Sequence, residues 1–405
     1  MLPFSPPRSD EKIVEAVAEV LRSGWISTGP KAKLFEQKIT AYCGNKVTLC
    51  TSAATTGLEL ILRWFGIKEG DEVIVPAYTY CATANVVVHC GAKPVLVDVG
   101  PDFNITVEAI EKAITPKTKA VMPVDIGGFP CNYDEINALI RREDVVAKFQ
   151  PGSENQQKLG RMLVLSDSAH SFGAFYKKKQ TGSLTDVSVF SFHAVKNLST
   201  AEGGAVALNL SEPFENQTIY SYLNTMSLHG QSKDALAKVQ KGGWRYDVID
   251  AGYKCNMMDI QAAMGLVELE RYDSETLKRR KEIFDAYAEG LSKYDWAQIP
   301  VYETKEKTSS YHVFLLRIKD ISEVQRDEIM QEIFNQKVAV NVHFQPLPLL
   351  TAYKSRGYNI SDFPVAYDNY SREITLPVYY DLTDQNVQTV INAVVNAVEK
   401  VEQPA

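Results

Sequence analysis

The 405-residue sequence predicts an α/β protein, with a large domain on a mostly parallel seven-stranded sheet between helices and a smaller α+β domain after it. Three observations carry this expectation. From residue 46 to about residue 210, short β-branched runs alternate with helical patterns. Past residue 256 that alternation gives way to long amphipathic stretches. Asp167 and Lys196 follow the fifth and sixth runs, and in open parallel sheets the region beyond the carboxyl ends of the strands is where ligands gather.

The expected strands are Val47–Cys50, Glu72–Pro76, Pro94–Asp98, Ala120–Val124, Met162–Leu165, Val187–Phe190 and Gly204–Leu208. A helix begins within Thr51–Gly57 and continues through Leu58–Arg63, which puts hydroxyls and free N–H groups at a helix N-terminus. Such an end attracts anions, and the same residue types also serve as simple caps. Residues 143–161 are polar with a Pro151-Gly152 break, and read as a surface insertion. Helical patterns at 259–271 and 277–291 lead out of the large domain. The remainder combines apolar runs at Tyr311–Ile318 and Val338–Val342 with helical patterns at 323–336 and 384–402. The expected division is therefore 1–256 for the large domain and 257–405 for the small one with its connecting helix.

A formal charge of −7 with no block of Lys or Arg gives no electrostatic footprint for nucleic acid or an anionic membrane. No apolar run approaches the roughly 18 residues that a membrane span needs, and Met1–Ser5 lacks the marks of a signal peptide, so a cytoplasmic protein is expected. The six cysteines, at 43, 50, 81, 90, 131 and 255, have neither metal-ligand spacing nor disulfide density. Reduced, mostly buried thiols and no metal site follow.

The segment Ser191–Gly204 places one lysine, Lys196, between an apolar strand and a glycine-rich turn, while Asp167 ends the neighbouring run. A lysine amine able to form a Schiff base and an acid able to hold a pyridine nitrogen protonated are the two groups that pyridoxal phosphate (PLP) chemistry requires.

Longer motifs reinforce the pair: Ser23–Pro30, Gly70–Asn85, Asp167–His170, Ser191–Gly204 and Gly252–Ala263. Together, over nearly the whole chain, they resemble the DegT/DnrJ/EryC1/StrS sugar aminotransferases, which are fold-type I PLP enzymes. The resemblance implies that Lys196 forms the Schiff base and then moves the proton, that Asp167 pairs with the pyridinium nitrogen, and that Tyr80 stacks on the ring. It implies that His170 lies near the phenolic oxygen and that Ala54, Thr55 and Ser191 hold the phosphate, Ala54 only through its N–H. Ala53-Ala54-Thr55 departs from the family's common Ser-Gly-Thr by losing a hydroxyl and a flexible glycine.

Further implications are a homodimer with the site at the subunit interface, Lys254 and Asn256 in the segment that reaches the neighbouring phosphate, and substrate contacts from His229, His312 and His343. The implied reaction moves an amino group from glutamate to a nucleotide-linked keto-sugar. Similarity to members acting at C4 favours a 4-keto hexose, with C3 left open. A pyridoxamine-phosphate-dependent sugar deoxygenase is the alternative within the fold, and Lys196 opposes it because such members replace the lysine. A catalytically inactive regulatory protein is the alternative outside it, and the presence of Asp167, His170, Ser191 and Lys196 opposes that.

Overall fold

The computed structural model describes residues 1–232 and 245–402. Seven strands form the central sheet: β1 Val47–Thr51, β2 Glu72–Pro76, β3 Lys93–Val97, β4 Thr118–Val121, β5 Leu163–Asp167, β6 Val187–Ser191 and β7 Gly204–Leu208. Their spatial order is β1-β7-β6-β5-β4-β2-β3. Each lies within about two residues of its sequence-predicted run at the start, and within three at the end. The pairs β2/β3, β2/β4, β4/β5 and β5/β6 are parallel, while β7 runs antiparallel to both β6 and β1.

Helices cover both faces of this sheet, so β4, β5 and β7 are buried at every position. Val73, Ile74 and Val75 of β2 are fully buried, and removing each such side chain from water contributes about 1.5–3 kcal/mol. A buried, bidentate ion pair joins Arg161 to Asp186, with both N–O distances at 2.7 Å. It ties the start of β5 to the start of β6, whose far ends carry Asp167 and Ser191. The strand ends are thereby held in register.

Four helices come early in the chain. Asp10 caps α1 (Glu11–Ser23) by accepting from the N–H of Ile13, and Gly24, at φ 73°, ends it. Next come α2 (Pro30–Cys43), α3 (Ala54–Trp64) and α4 (Ala82–His89). The helix Asp259–Glu270 is fixed to α2 through Asp259, whose carboxylate accepts from the N–H groups of Gly29, Lys31 and Ala32.

A second core gathers Ile283, Phe284, Phe314, Leu316, Ile333, Ile374, Leu376 and Val394 around the antiparallel strands Phe314–Ile318 and Glu373–Leu376. Helices Glu323–Asn335 and Asp384–Glu402 pack there, at the positions the periodicity predicted. Val338–Val342 contributes single bridges, at Val338 and Asn341, rather than a strand. Leu347, Tyr353, Phe363, Ala366 and Tyr370 cross back to pack in the core of the large sheet.

The expected surface insertion at 143–161 is only partly superficial. It folds into the short helices Glu143–Val146 and Glu154–Leu159, and the fully buried Gln156 donates from Nε2 to the carbonyl of Phe65 at the end of α3. All six cysteines are free, five buried and Cys81 half-buried.

Among the described residues no helix is long and apolar enough to cross a membrane, and no group of His, Cys, Asp and Glu is placed to hold a metal ion.

Candidate active site

Thr51, Gly204 and Ser191 lie in one row across the ends of β1, β7 and β6. The chain leaves Thr51 and turns into α3, whose N-cap residue, Ala53, offers no side-chain cap. A Cβ on Gly204 would stand 2.4 Å from the backbone nitrogen of Ala54, so a glycine is required where the strand meets the helix end. Ala54, Thr55 and Ser191 therefore surround an uncapped helix N-terminus, a ready anion site. Asn256 pairs with Thr51, and the N–H of Ser52 donates to the carbonyl of Cys255 at 2.7 Å. This sets Asn256 beside the same row within one protomer, and the Lys254 ammonium donates to its Oδ1.

Asp167 ends β5 and is 5% exposed. Thr83 Oγ1 donates to its Oδ2 at 2.8 Å and the N–H of Ala169 to its Oδ1 at 3.3 Å. Burial pushes the Asp167 carboxyl up, and the two donors and Lys196 pull it back. A dry carboxylate with a net upward shift still has room for a cationic partner.

Lys196 follows a tight turn in which its N–H donates to the carbonyl of His193 at 2.8 Å. Its side chain keeps an open edge, but the amine is enclosed by protein, and desolvation lowers it to about 8 against the opposing charge of Asp167. At neutral pH about a tenth of such amines are free base, against fewer than about one in a thousand for an ordinary lysine.

Facing this lysine is a group of imidazoles. His170 is buried, with its Nδ1 left without a hydrogen-bond partner among the described residues, and its ring centroid is 4.3 Å from that of His312. Desolvation holds His170 well below the ordinary imidazole range, with Lys196 adding to the effect. His312 is held down in the same way. Desolvation and Lys196 lower His343 to about 3. All three are neutral at physiological pH.

Phe344 links them to Tyr80, with ring centroids 5.6 Å from His170 and 5.7 Å from Tyr80. Tyr80 is 59% exposed, which removes it from the core and leaves its face open.

His229 stands apart. It is exposed at φ 66°, its N–H donates to the carbonyl of Tyr253 at 2.6 Å, and neighbouring Leu228 pairs with Lys254. The structure thus groups it with the 252–256 segment and not with the imidazole cluster.

Several supporting residues escaped the sequence reading. Thr83 holds Asp167 from α4, one helical turn after Thr79. Asn197 donates from Nδ2 to the carbonyl of Ser310 at 2.6 Å, which turns its Oδ1 toward His312 Nδ1 at 2.8 Å. That nitrogen therefore carries the proton, and His312 Nε2 is an acceptor. Arg280, buried and without an acid partner among the described residues, donates from Nε to the carbonyl of Tyr311 at 2.8 Å and from Nη2 to that of His312 at 2.5 Å. The adjacency of Asn197 to Lys196 was the one sequence signal available for these contacts.

The donor set suits PLP. An uncapped helix end accommodates a phosphate, a buried carboxylate makes no salt bridge among the described residues, His170 Nδ1 has no hydrogen-bond partner among them, and an enclosed lysine amine has a depressed pKa.

The model of the DegT/DnrJ/EryC1/StrS aminotransferase family matches residues 7–149 and 154–395. The spore coat polysaccharide biosynthesis protein SpsC of Bacillus subtilis is 35% identical over 398 residues, 97% of this chain and 96% of that protein. A Streptococcus pneumoniae protein named as a sugar aminotransferase, solved in its PMP form, superposes with a TM-score of 0.95 at 43% identity, covering 99% of this chain and 100% of that one. Its PLP form gives 0.93 at 41%, covering 99% of each chain. Helicobacter pylori PseC, an aminotransferase involved in the biosynthesis of pseudoaminic acid, gives 0.86 at 27% identity, covering 98% and 99%.

Proposed function

Because this chain belongs to the DegT/DnrJ/EryC1/StrS family and is a PLP-dependent sugar aminotransferase of fold type I, we propose that it moves an amino group from glutamate to C4 of a nucleotide-linked keto-hexose. The proposal includes a cytoplasmic homodimer whose site is completed at the subunit interface, with Lys254, Asn256 and His229 on the segment that meets the partner. The division into residues 1–256 and 257–405 belongs to the same reading, supported by the separate core around Phe314 and Ile374.

One observation carries the assignment of roles: a lysine amine lowered to about 8 just past the end of β6 feels the charge of a dry carboxylate at the end of the adjacent parallel strand β5. Pyridoxal phosphate, when bound, supplies a cationic ring that accepts the electron pair released at the α carbon of the donor. Asp167 keeps the ring nitrogen protonated, and Thr83 holds its carboxylate in place. Ala54, Thr55 and Ser191 bind the phosphate at the helix end. Lys196 would hold the cofactor, and its free amine would be a tethered base for the α proton of the donor. His170 and Tyr80 orient the ring. His312 and His343, neutral and close to Lys196, meet the sugar hydroxyls without competing for the proton.

A visible spectrum of the purified holoenzyme, recorded before and after glutamate is added, tests this. The bound-cofactor band should give way to that of the pyridoxamine form, and should return when a 4-keto hexose linked to a nucleotide is supplied. A band unmoved by glutamate would overturn the donor assignment. Failure to take up PLP would overturn the roles given to Lys196 and Asp167.

A further inference from the structure

Glu373 is fully buried beside the active site and has no part in the mechanism above. It opens the strand Glu373–Leu376, and the two-residue period of a strand puts Thr375 on the same face while Ile374 and Leu376 enter the second core. Asn341 pairs with Thr375 in antiparallel register, which brings His343 opposite Glu373. The N–H of His343 donates to Glu373 Oε2 at 3.0 Å, Thr375 Oγ1 donates to Glu373 Oε1 at 2.5 Å, and His343 Nδ1 lies 3.0 Å from that same hydroxyl. The carbonyl of His343 accepts from Tyr78 Oη at 2.7 Å, and Phe4 stacks on the imidazole at 5.6 Å between centroids. The residue is clamped at both backbone groups and at Nδ1, so Nε2 is the ring nitrogen left for a ligand.

We propose that Glu373 and Thr375 form a relay that sets which nitrogen of His343 carries the proton, and thereby whether the site offers the sugar a hydrogen-bond acceptor or a donor at Nε2. This rests on the reading that His343 meets the substrate. When Glu373 is ionised, Thr375 must donate to it, so its hydroxyl accepts from Nδ1–H and Nε2 presents a lone pair. When Glu373 is protonated, its O–H donates to Thr375, the hydroxyl turns to donate to Nδ1, and Nε2 carries the hydrogen. In passing from the second state to the first, the Glu373 proton moves to Thr375, the hydroxyl proton moves to Nδ1, and the Nε2 proton leaves to solvent. One proton is lost in all. Glu373 and Thr375 are positioning residues, acting through His343.

The groups facing the relay set where it switches. Burial raises Glu373 to about 8, and buried Arg326 and Arg317 act against that rise. Tyr78 lies close enough to feel the same carboxylate. Lys196 faces His343 and disfavours its doubly protonated form, so the imidazole changes tautomer rather than charge.

The holoenzyme labelled with 15N at its histidine rings tests the relay directly, because protonated and unprotonated ring nitrogens resonate far apart. The His343 signal is assigned with His343→Asn. Between about pH 6 and about pH 10 the wild-type ring should pass from the Nε2–H to the Nδ1–H tautomer, with a midpoint near 8. Glu373→Gln and Thr375→Val should each hold one tautomer throughout, and Thr375→Ser should restore the switch. A single wild-type tautomer over the whole range, or a switch that survives in both Glu373→Gln and Thr375→Val, would overturn the relay. The substrate reading fails separately: a normal switch whose Nε2 signal is unmoved by a nucleotide sugar that the enzyme turns over would remove His343 from the sugar site.

Discussion

The two walls of the active site are built by different means. The cofactor wall is local in design: Asp167, Ser191 and Lys196 sit at or just past the ends of adjacent strands, and Ala54 and Thr55 open the helix that follows β1. The histidine wall is assembled from distance. His312 and His343 come from the far half of the chain and are fixed by Asn197, Arg280, Thr375 and Glu373. The cofactor wall carries a depressed lysine and a raised carboxyl, charges prepared for a partner, whereas the histidine wall carries neutral imidazoles whose hydrogen bonds are directed. Under the proposed roles, one wall would serve chemistry and the other recognition.

That contrast breaks most readily at Lys196. Lys196→Ala should lower kcat by about 10⁴-fold or more, the scale of a lost acid–base catalyst together with the lost anchor, while the cofactor-free variant keeps the melting temperature of the cofactor-free wild type, because the side chain has no hydrogen-bond partner among the described residues. Turnover within tenfold of wild type would move the chemistry off this wall. Asp167→Asn should cost about 10² to 10³-fold in kcat, since it leaves the ring cation without its buried counter-charge. An effect confined to KM would instead place Asp167 among the binding residues.

A smaller effect follows from pH. In the proposed roles, attachment of PLP to the cofactor-free enzyme needs the free amine of Lys196, whose pKa is lowered from the usual lysine value to about 8. The attachment rate should therefore climb about a hundredfold between pH 6 and pH 9 and level off above that, as the amine loses its proton. A rate still climbing tenfold per pH unit beyond pH 9 would show that the amine is not desolvated. The mildest test lies on the other wall. Asn197→Ala frees His312 Nδ1 and should raise KM for the keto-sugar about tenfold, one buried hydrogen bond, with a much smaller loss in the reaction with glutamate. Equal losses in both half-reactions would erase the division between the walls.

The same division explains what could be read in the sequence. Strand ends, the Gly203-Gly204 turn and the Asp167–His170 motif are short-range patterns, and the seven runs marked the sheet to within a few residues. The reversed direction of β7 was not visible, because strand direction depends on pairing with β1 and β6, and its apolar run is the same in either sense. Thr83, Asn197 and Glu373 were missed for a related reason. Each is an ordinary polar residue until a contact 84, 115 or 30 positions away turns it toward a functional group. His343 was legible as a candidate from its surroundings, but its tautomer depends on Thr375 and Glu373, which only the register of the small domain brings opposite. His229 was chosen by the same reasoning, and the pairing of its loop with the 252–256 segment was not visible in the sequence.

The most direct test of the account is borohydride reduction of the holoenzyme followed by peptide mapping. Reduction fixes the cofactor on whichever lysine holds it, and the account predicts one phosphopyridoxyl group, on the peptide containing Lys196. The label on Lys254 or any other lysine, with Lys196 unmodified, would contradict it.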